Sequence, residues 1–586
     1  MKVRRKAAGK PDHRIPEWRF YTVVGFILLG FAGLVMRTAW IQVIAPDRLR
    51  QEGDARSLRT TADEKVRGMV TDRNGEQLAV SVPVEAVWAD PKTVHESGSL
   101  DNTRAWQALA EVLGLTVKDL TDRIADPHKR FVYLQRQITP AVADYVSKLK
   151  LDGIYLRQES RRYYPAGEIS AHIVGMTNID GSGIEGVERT FNDWLTSVPE
   201  ERQVRKDRKG RVIENIGVVK EGKKANNLVL SIDQRLQSLA YRSLKYATEV
   251  NNATSGSLIL VDVTTGEVLA MANSPSYNPN NRGQYEGFRA RNRTVTDTYE
   301  PGSTVKPLVA TSALMHNVTN WREVFDTRPF NIGGKTVTDS HRMASGALGD
   351  ILKYSSNIGM AHIALRMNPQ DILDTLTAFG LGAASGTGLA GETTGMLPIR
   401  RRWSDIERAT LGFGYGLRIT PLQLVTAYAT LANKGLRRPI SILKVNEPPK
   451  GEQVVPAEIA EQVMLHLEAV VEGGGTGGKA EVPGYRVAGK TGTAKVAVAG
   501  GYGKDYVGTF AGFAPVSNPR FAMVVIINEP KAGHFYGGTV AGPTFAEVMA
   551  GALQLYNVPP DAPQTLDPAK GKDKLARQEV KNVPHT

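Results

Sequence analysis

The chain has 586 residues, 41% of them hydrophobic, and a formal net charge of +13 at pH 7. This length predicts about three or four domains and more than one sizeable core. The absence of cysteine excludes disulfides, cysteine-ligated zinc and a cysteine nucleophile, and it suits an oxidising compartment. The positive charge permits nucleic-acid binding, but it equally fits a surface that faces anionic lipid or polymer.

A basic tip and an apolar segment open the chain. Residues 1–19 are rich in Lys and Arg, and Phe20–Met36 contains no charge. As a helix this run spans roughly 26 Å, near the lower limit for crossing a bilayer. Trp18 and Trp40 lie where interfacial aromatic residues are expected, and the basic flank predicts a cytoplasmic N-terminus. We therefore predict one transmembrane anchor over residues 20–44.

A cleaved signal peptide is the alternative for this segment. The apolar run is long for a signal peptide, however. Its one Val-x-Ala cleavage candidate, Val43-Ile44-Ala45, is followed by Pro46, which should block cleavage. We favour an uncleaved anchor, with the rest of the chain on the far side of the membrane.

Residues 45–222 form the next predicted unit, which is rich in turn signals, arginine and acidic residues. Asn74-Gly75 between apolar segments is a strong turn signal. The arginine and acid content suggests that ion pairs hold this region together and join it to the next domain. The region contains three strings with several Gly, Arg and acidic residues: Arg67–Gly75, Arg162–Gly167 and Gly183–Glu188.

The densest basic run extends from Arg202 to Arg211. Glu201 and Asp207 interrupt it, and no aromatic residue is interleaved with its Lys and Arg residues. Nucleic-acid sites usually combine basic and aromatic side chains. We interpret the run as a solvated loop or an interdomain contact, and we predict no nucleic-acid partner.

From about Asn226 the sequence alternates between helical and extended patterns. Strands are predicted at both ends of this region and helices between them: a helix from a Ser231 or Asp233 cap to about Val250, a hairpin from Leu258–Val263, Thr264-Thr265-Gly266 and Glu267–Ala272, strands at Asp505–Ala514 and Phe521–Asn528, and a helix at Thr544–Tyr556. The fold class is therefore α/β (α+β), an antiparallel sheet packed against helices. Residues 557–586, rich in Pro, Lys and Asp, are predicted to be disordered.

Ser303-Thr304-Val305-Lys306 is one of three S-x-x-K strings, the others starting at Ser147 and Ser441. A turn precedes Ser303, and Pro307 suits the first turn of a helix. A helix that starts near Ser303 places it on one face with Lys306, at the positive end of the helix dipole. Serine needs an adjacent base, and lysine can serve if burial or a neighbouring cation lowers its pKa. A lone copy is more often an exposed helix face.

Ser355-Ser356-Asn357 follows the copy at Ser303 and lies between apolar runs, where Ser and Asn favour a loop or a helix end. The three residues are either a simple helix cap or part of a site. In a site, Ser355 would pass a proton between Lys306 and a leaving amine, and Asn357 would bind a substrate amide.

Lys490-Thr491-Gly492 has two interpretations. Residues 484–491 satisfy the phosphate-loop pattern G-x-x-x-x-G-K-[ST], and residues 257–262 mimic the acidic strand of nucleotide sites. A phosphate loop needs a strand before it and a helix after it, whereas residues 473–483 are glycine-rich and residues 491–500 alternate like a strand. We reject the nucleotide site.

On such a strand, Lys490, Gly492 and Ala494 lie on one face, and Thr491 and Thr493 lie on the other. Glycine at 492 lets another part of the backbone approach closely.

In this order the three strings resemble the S-x-x-K, S-x-N and K-T-G motifs of penicillin-binding serine transpeptidases. The three upstream strings resemble the non-catalytic boxes of the class B family. A closer similarity to its division-specific members lies in four stretches: Glu300–Pro307, Met271–Asn280, Arg402–Arg408 and Phe413–Gly416. Gly489 departs from the family pattern and could loosen its strand.

The resemblance implies a serine β-lactamase/transpeptidase-like domain over residues 223–556 on an elongated α+β pedestal over residues 45–222. It implies a serine-type D-Ala-D-Ala transpeptidase that cross-links peptidoglycan stem peptides of the septal wall through a Ser303 acyl-enzyme, and that β-lactams inhibit. The N–H groups of Ser303 and Thr493 would form the oxyanion hole. The Thr491 and Thr493 hydroxyls, with the charge of Lys490, would hold the substrate carboxylate.

The resemblance also implies no metal or cofactor, a location in the inner membrane of a Gram-negative bacterium with the catalytic domain in the periplasm, and two kinds of partner, a SEDS-type glycan polymerase (FtsW) and other division proteins. Two alternatives stay open. One is a hydrolase of the same fold, although no Glu-x-x-Leu-Asn segment, of the kind class A β-lactamases use, follows Ser355. The other is a non-enzymatic, drug-sensing receptor that retains Ser303 and Lys306.

Overall fold

A computed structural model describes residues 16–44, 46–62, 65–207, 211–498 and 501–562. The chain divides into two compact units. One contains the residues up to 65 together with 198–224, and the other contains 66–197 together with the residues from 225 onward. The first fifteen residues of the basic tip, and the part of the predicted disordered tail beyond residue 562, lie outside the described residues.

The strands, numbered in chain order, are β1 (Leu58–Ala62), β2 (Val70–Thr71), β3 (Gln77–Ala89), β4 (Val132–Ile138), β5 (Ile154–Tyr163), β6 (Glu201–Lys206), β7 (Val212–Lys220), β8 (Leu228–Val229), β9 (Ser255–Asp262), β10 (Val268–Ser274), β11 (Val324–Asp326), β12 (Phe330–Ile332), β13 (Lys335–Val337), β14 (Ser345–Ala347), β15 (Leu436–Arg437), β16 (Glu452–Gln453), β17 (Ala488–Val498), β18 (Gly501–Ala514) and β19 (Phe521–Asn528).

The α-helices are α1 (Glu17–Ala39), α2 (Pro46–Ser57), α3 (Pro91–Glu96), α4 (Thr103–Leu113), α5 (Val117–Arg123), α6 (Pro140–Lys148), α7 (Ala171–Val174), α8 (Gly186–Thr190), α9 (Asn192–Leu195), α10 (Gln234–Val250), α11 (Gly287–Ala290), α12 (Arg293–Thr296), α13 (Lys306–Met315), α14 (Leu348–Lys353), α15 (Asn357–Arg366), α16 (Pro369–Ala378), α17 (Asp405–Leu411), α18 (Pro421–Ala432), α19 (Ala457–Glu468), α20 (Gly537–Val540) and α21 (Gly542–Leu555).

The first unit contains α1, which continues into a π-helical turn at Trp40–Ile44. Within the described residues, this one helix is long and apolar enough to cross a membrane, and none of its side chains is buried. The unit also contains an antiparallel sheet in the order β1-β6-β7. The loop predicted for the basic run is wrong for Arg202–Lys206, which form β6, because they pair with β1 on one side and β7 on the other.

The second unit begins with a sheet in the order β4-β3-β2-β8, with β5 paired to β3. Helices α4 and α5 contribute Trp106, Leu109 and Leu120 to its core. The predicted turn at Asn74-Gly75 is present, with Gly75 at a φ of 93°. Ion pairs hold this region together as the sequence suggests, and the Arg73–Glu267 pair, at 3.2 Å, joins it to β10 and its neighbours.

A five-stranded antiparallel sheet in the order β10-β9-β19-β18-β17 forms the centre of the same unit. Side chains alternate between its faces, because successive residues of a strand point to opposite sides. Leu258 and Leu260 pack with α10 and α21, whereas Ile259 and Val261 pack with α18 and the helices that follow Ser303. The predicted hairpin, strands and flanking helices are confirmed, and so is the mixed fold class. Asp233 caps α10 by accepting a hydrogen bond from Arg235 N.

Candidate active site

Ser303 lies in a 3₁₀ turn, Gly302–Val305, that runs directly into α13. The sequence predicts an α-helix that starts near Ser303, whereas the regular helix starts at Lys306. Contacts from distant segments hold the turn: Tyr428 donates its hydroxyl to Thr304 O at 2.8 Å, and Gly302 N donates to Gly414 O at 3.1 Å. Ser303 and Lys306 remain neighbours on one continuous helical turn.

Lys306 is fully buried beneath this turn. Its Nζ donates to Ser355 O at 2.6 Å, to Asn357 Oδ1 at 2.8 Å and to Ser355 Oγ at 3.3 Å. Among the described residues, no hydrogen bond joins Nζ to Ser303 Oγ. The amine is therefore held by the second motif, and catalytic hydrogen bonds of this kind often form only when substrate is bound.

Burial strongly lowers the pKa of the Lys306 amine, because the charged form loses its hydration. The positive charge of Lys490 lowers this pKa further, and the negative charge of Asp339 opposes the shift. The neutral amine, which alone can accept a proton, is therefore populated well below the usual pKa of lysine.

The second motif forms a junction between two helices. Ser355 follows the end of α14 with a φ of 61°, a conformation that few residues other than glycine adopt and that commonly ends a helix. Ser356 caps α15, and its Oγ accepts a hydrogen bond from Gly359 N at 3.0 Å. The predicted helix end is confirmed, and the cap and the site are compatible because different residues of the string perform the two tasks.

Asp339, which lies outside the three motifs, completes this junction. Its Oδ2 accepts from Ser356 Oγ at 2.5 Å, and its Oδ1 accepts from the backbone N–H groups of Asn357 and Ile358 at 2.5 and 3.1 Å. A carboxylate is favourable at the positive end of α15. Asp339 thus fixes Asn357, which in turn binds Lys306. It lies in a short loop after β13, with no local pattern that could have marked it.

Lys490, Thr491 and Gly492 lie on β17, which excludes the phosphate-loop interpretation, because that site requires a helix after Thr491. A Cβ added to Gly492 would come within 2.8 Å of Thr304 Cγ2, so glycine allows β17 to approach the serine turn. A Cβ at Gly489 would come within 2.6 Å of Phe510 Cζ. Gly489 therefore permits close packing at this point rather than loosening the strand.

Lys490 is also fully buried, and burial lowers its pKa to about 7. Its Nζ makes only long contacts with Thr491, at 3.3 Å to the carbonyl and 3.5 Å to Oγ1, among the residues described. Thr491 Oγ1 lies 2.8 Å from Thr476 Oγ1, and Thr493 Oγ1 accepts from Gly537 N at 3.1 Å. Thr476 and Gly537 position the two hydroxyls, and neither residue lies in a motif that the sequence offered.

The structure thus brings all three strings together around two buried lysines. Lys306 connects the first string to the second, and Gly492 packs the third against the first. Within the described ranges, no group of His, Asp and Glu side chains is arranged to hold a metal ion. The arrangement provides a serine, a base with a lowered pKa, a second hydroxyl and a cationic strand edge, which are the parts that acyl transfer requires.

Two family models match the chain. Residues 63–230 match the penicillin-binding protein dimerisation domain, and residues 256–550 match the penicillin-binding protein transpeptidase domain. The three strings all lie within the second match.

Proteins named as peptidoglycan D,D-transpeptidases are similar to this chain over nearly its full length. The chain is 53% identical to the peptidoglycan D,D-transpeptidase FtsI of Escherichia coli K12 over 94% of both chains. It is 38% identical to the probable peptidoglycan D,D-transpeptidase PenA of Neisseria meningitidis, over 92% of this chain and 94% of that one.

Two solved structures of related proteins are also similar to this chain. A peptidoglycan synthetase from Bifidobacterium adolescentis, 27% identical, superimposes with a TM-score of 0.69 over 87% of this chain and 98% of its own. The transpeptidase domain of Burkholderia pseudomallei penicillin-binding protein 3, 38% identical, covers 57% of this chain and 98% of its own, with a TM-score of 0.53.

Proposed function

The chain belongs to the class B penicillin-binding proteins, and on this premise we propose that it is a peptidoglycan D,D-transpeptidase that cross-links stem peptides of the septal cell wall during division. The 53% identity to FtsI of Escherichia coli supports the division-specific assignment. The substrate is a stem peptide ending in D-alanyl-D-alanine, and β-lactams, which mimic that end, acylate the same serine.

In the first half-reaction, Ser303 Oγ attacks the carbonyl carbon of the penultimate D-alanine while its proton passes to Lys306 Nζ. The backbone N–H groups of Ser303 and Thr493 stabilise the oxyanion that forms. The bond from carbon to the terminal D-alanine nitrogen then breaks. The proton moves from Lys306 through the Ser355 hydroxyl to that nitrogen, and free D-alanine leaves an acyl-enzyme.

In the second half-reaction, the amine of a neighbouring stem attacks the acyl carbon. A new amide bond forms, the ester bond to Ser303 Oγ breaks, and the proton lost by the amine returns to Oγ through Lys306. A β-lactam follows only the first half-reaction, because its leaving nitrogen stays tethered to the acyl group and blocks the approach of an amine.

The third string, Lys490-Thr491-Gly492, recognises the C-terminal end of the donor, the stem peptide that acylates Ser303. Lys490 supplies a positive charge, and the hydroxyls of Thr491 and Thr493 donate hydrogen bonds to the terminal carboxylate. A bound carboxylate favours the charged form of Lys490, whose pKa is lowered to about 7 in its absence. Asn357, held by Asp339, binds an amide of the substrate.

We assign membrane anchoring to residues 20–44, the pedestal to 45–222 and catalysis to 223–556. The apolar helix supports a membrane anchor. The basic tip before it favours a cytoplasmic N-terminus and a catalytic domain in the periplasm, at the inner membrane. By family analogy, the partners are a SEDS-type glycan polymerase (FtsW) and other division proteins.

One observation carries the proposal, namely the contacts of the buried Lys306 amine with Ser355 and Asn357 in a chain with this family match. Intact-protein mass spectrometry with a labelled penicillin tests it. Wild type should gain one long-lived adduct, Ser303→Ala should gain none, and Ser147→Ala, from another S-x-x-K string, should behave as wild type. An adduct that persists in Ser303→Ala contradicts the assignment. Rapid loss of the adduct by hydrolysis favours a hydrolase of the same fold.

A further inference from the structure

Thr304 lies inside the serine turn and contacts the neighbouring strand. It is fully buried, and both its N–H, at 3.3 Å, and its Oγ1, at 2.8 Å, donate to Pro301 O. Its methyl group faces Gly492, where a Cβ would come within 2.8 Å of Thr304 Cγ2. Ser303 precedes Thr304 on the turn, and Thr493 follows Gly492 on β17. Thr304 therefore connects the two segments that carry the proposed oxyanion donors.

The carbonyl group of Thr304 depends on a donor from a distant part of the chain. In a 3₁₀ turn, the C=O of residue i accepts a hydrogen bond from the N–H of residue i+3. The residue three positions after Thr304 is Pro307, which has no N–H. The hydroxyl of Tyr428, 124 residues further along the chain, donates to Thr304 O at 2.8 Å. A side chain from another helix thus supplies the hydrogen bond that proline cannot.

Tyr428 is a rigid donor for this carbonyl. It lies on α18, whose residues are all buried, and its own side chain is fully buried. Burial raises the pKa of its hydroxyl well above the usual value for tyrosine, so the hydroxyl keeps its proton and remains a donor. α18 packs against the central sheet, of which β17 is a strand. The hydroxyl therefore fixes the serine turn relative to the sheet that carries Thr493.

We propose that Tyr428 is a positioning residue for the acylation step. Acting through the Thr304 carbonyl, its hydroxyl holds the N–H of Ser303 where that group and the N–H of Thr493 can bind one oxyanion. The inference rests on the proposed function, which assigns these two N–H groups to the oxyanion hole. Donors of this kind accelerate a reaction only if they are held where negative charge develops. A small displacement of the turn should therefore slow the reaction without weakening the binding of a β-lactam.

The test separates binding from reaction in the full-length protein in detergent. Rapid-quench mass spectrometry follows the acylation of Ser303 at increasing concentrations of labelled penicillin. It gives the limiting rate constant, the half-saturating concentration and the fraction of the protein that becomes acylated. A displaced oxyanion donor lowers the limiting rate constant. Partial unfolding lowers the acylated fraction instead, because unfolded molecules do not react.

The informative variant is Tyr428→Phe, which removes the hydroxyl and keeps the ring. We expect the limiting rate constant to fall by about 10- to 100-fold, with the half-saturating concentration and the acylated fraction within about twofold of wild type. The matched control is Tyr277→Phe. The hydroxyl of Tyr277 is also a buried donor to a backbone carbonyl, Ala171 O at 3.1 Å, but that carbonyl lies outside the serine turn. This variant should keep the limiting rate constant of wild type.

A second substitution tests whether the effect passes through the Thr304 carbonyl. Pro307→Ala restores an N–H three residues after Thr304, in the first turn of α13, where backbone N–H groups lack intrahelical acceptors. In the Tyr428→Phe background this N–H can donate to the carbonyl in place of the hydroxyl. We expect the double variant to acylate about threefold faster than Tyr428→Phe or more. In the Tyr277→Phe background, Pro307→Ala should bring no such gain.

Three outcomes would overturn the inference. In the first, Tyr428→Phe keeps the limiting rate constant of wild type. In the second, it loses only acylated fraction, which would give the hydroxyl a role in folding alone. In the third, Pro307→Ala recovers none of the lost rate, so the effect does not pass through Thr304. The proposed function has a separate outcome: if wild type forms no acyl-enzyme at Ser303, the transpeptidase assignment fails, and this inference fails with it.

Discussion

Two clusters of buried cations behave differently in this molecule. In the pedestal region, Arg67 and Arg162 share the buried carboxylate of Glu188, at 2.5 and 2.7 Å. In the candidate active site, Lys306 and Lys490 are equally buried, yet neither forms a salt bridge with any described residue. A paired buried cation stabilises an arrangement, whereas an unpaired one has a shifted pKa and becomes reactive.

The residue types fit this difference. Arginine remains charged in proteins, so its burial requires a carboxylate or several carbonyl groups. Arg67 has both, since it also donates to Gly181 O, Glu188 O and the side chains of Asn192 and Thr196. Lysine can release its proton when it is buried, so a buried lysine in the candidate site can act as a base. The buried arginines of the pedestal stay charged and form fixed contacts instead.

Replacing the unpaired base should have the largest effect. Lys306→Met removes the proposed proton acceptor with little change in side-chain size, and we expect acylation by labelled penicillin to slow by about 1,000- to 10,000-fold. The rate constant from stopped-time mass spectrometry measures this. Lys150→Met, from the S-x-x-K string of the pedestal, should acylate like wild type. A loss below tenfold for Lys306→Met would mean that another group is the base.

Removing the shared carboxylate should break the paired cluster. Glu188→Gln leaves two buried guanidinium groups without a counter-charge, and we expect the free energy of unfolding to fall by about 3–5 kcal/mol. Thermal or urea unfolding of the detergent-solubilised protein measures this. Glu96→Gln removes the exposed Lys92–Glu96 pair instead and should cost about 0.5 kcal/mol or less. Equal losses in the two variants would show that the buried pairing contributes nothing special.

The negative charge of Asp339 acts on the buried Lys306 amine without forming a salt bridge with it. Asp339→Asn removes this charge and makes the candidate site still less like the paired cluster around Glu188. Its removal takes away the interaction that raises the pKa of Lys306, so the rising limb of the acylation pH profile should move to lower pH. The loss of the cap on Asn357 should slow acylation by about tenfold. A profile with an unmoved rising limb would contradict the electrostatic role.

The pKa of about 7 at Lys490 predicts the smallest effect. As the pH rises from 7 to 8, the protonated fraction of such a group falls about fivefold, and the second-order rate constant for acylation should fall with it. Lys490→Arg, which stays protonated, should shift this falling limb to higher pH. If the rate constant for acylation falls at the same pH in wild type and in Lys490→Arg, the falling limb reports the titration of another group.

Much of the fold follows from local patterns. The strand at Phe521–Asn528 and the helix after a Ser231 or Asp233 cap follow from short segments; the structure confirms both elements and assigns the cap to Asp233. The sequence-based predictions are wrong where contacts with distant segments determine the local backbone structure. Tyr428 and Gly414 hold Ser303 in a 3₁₀ turn, and pairing with β1 and β7 makes Arg202–Lys206, the first part of the basic run, a strand.

The sequence alone determined the long apolar helix that begins at Glu17, the order of the three strings and the family they resemble, because these depend on residue type and spacing. Only the tertiary structure decided that Lys306 and Lys490 are buried without a salt bridge to any residue of the described ranges, and that Asp339 orders Asn357. The reason is physical. Desolvation and charge act over a few ångströms in space, and Lys306 meets Asn357 across 51 residues of chain.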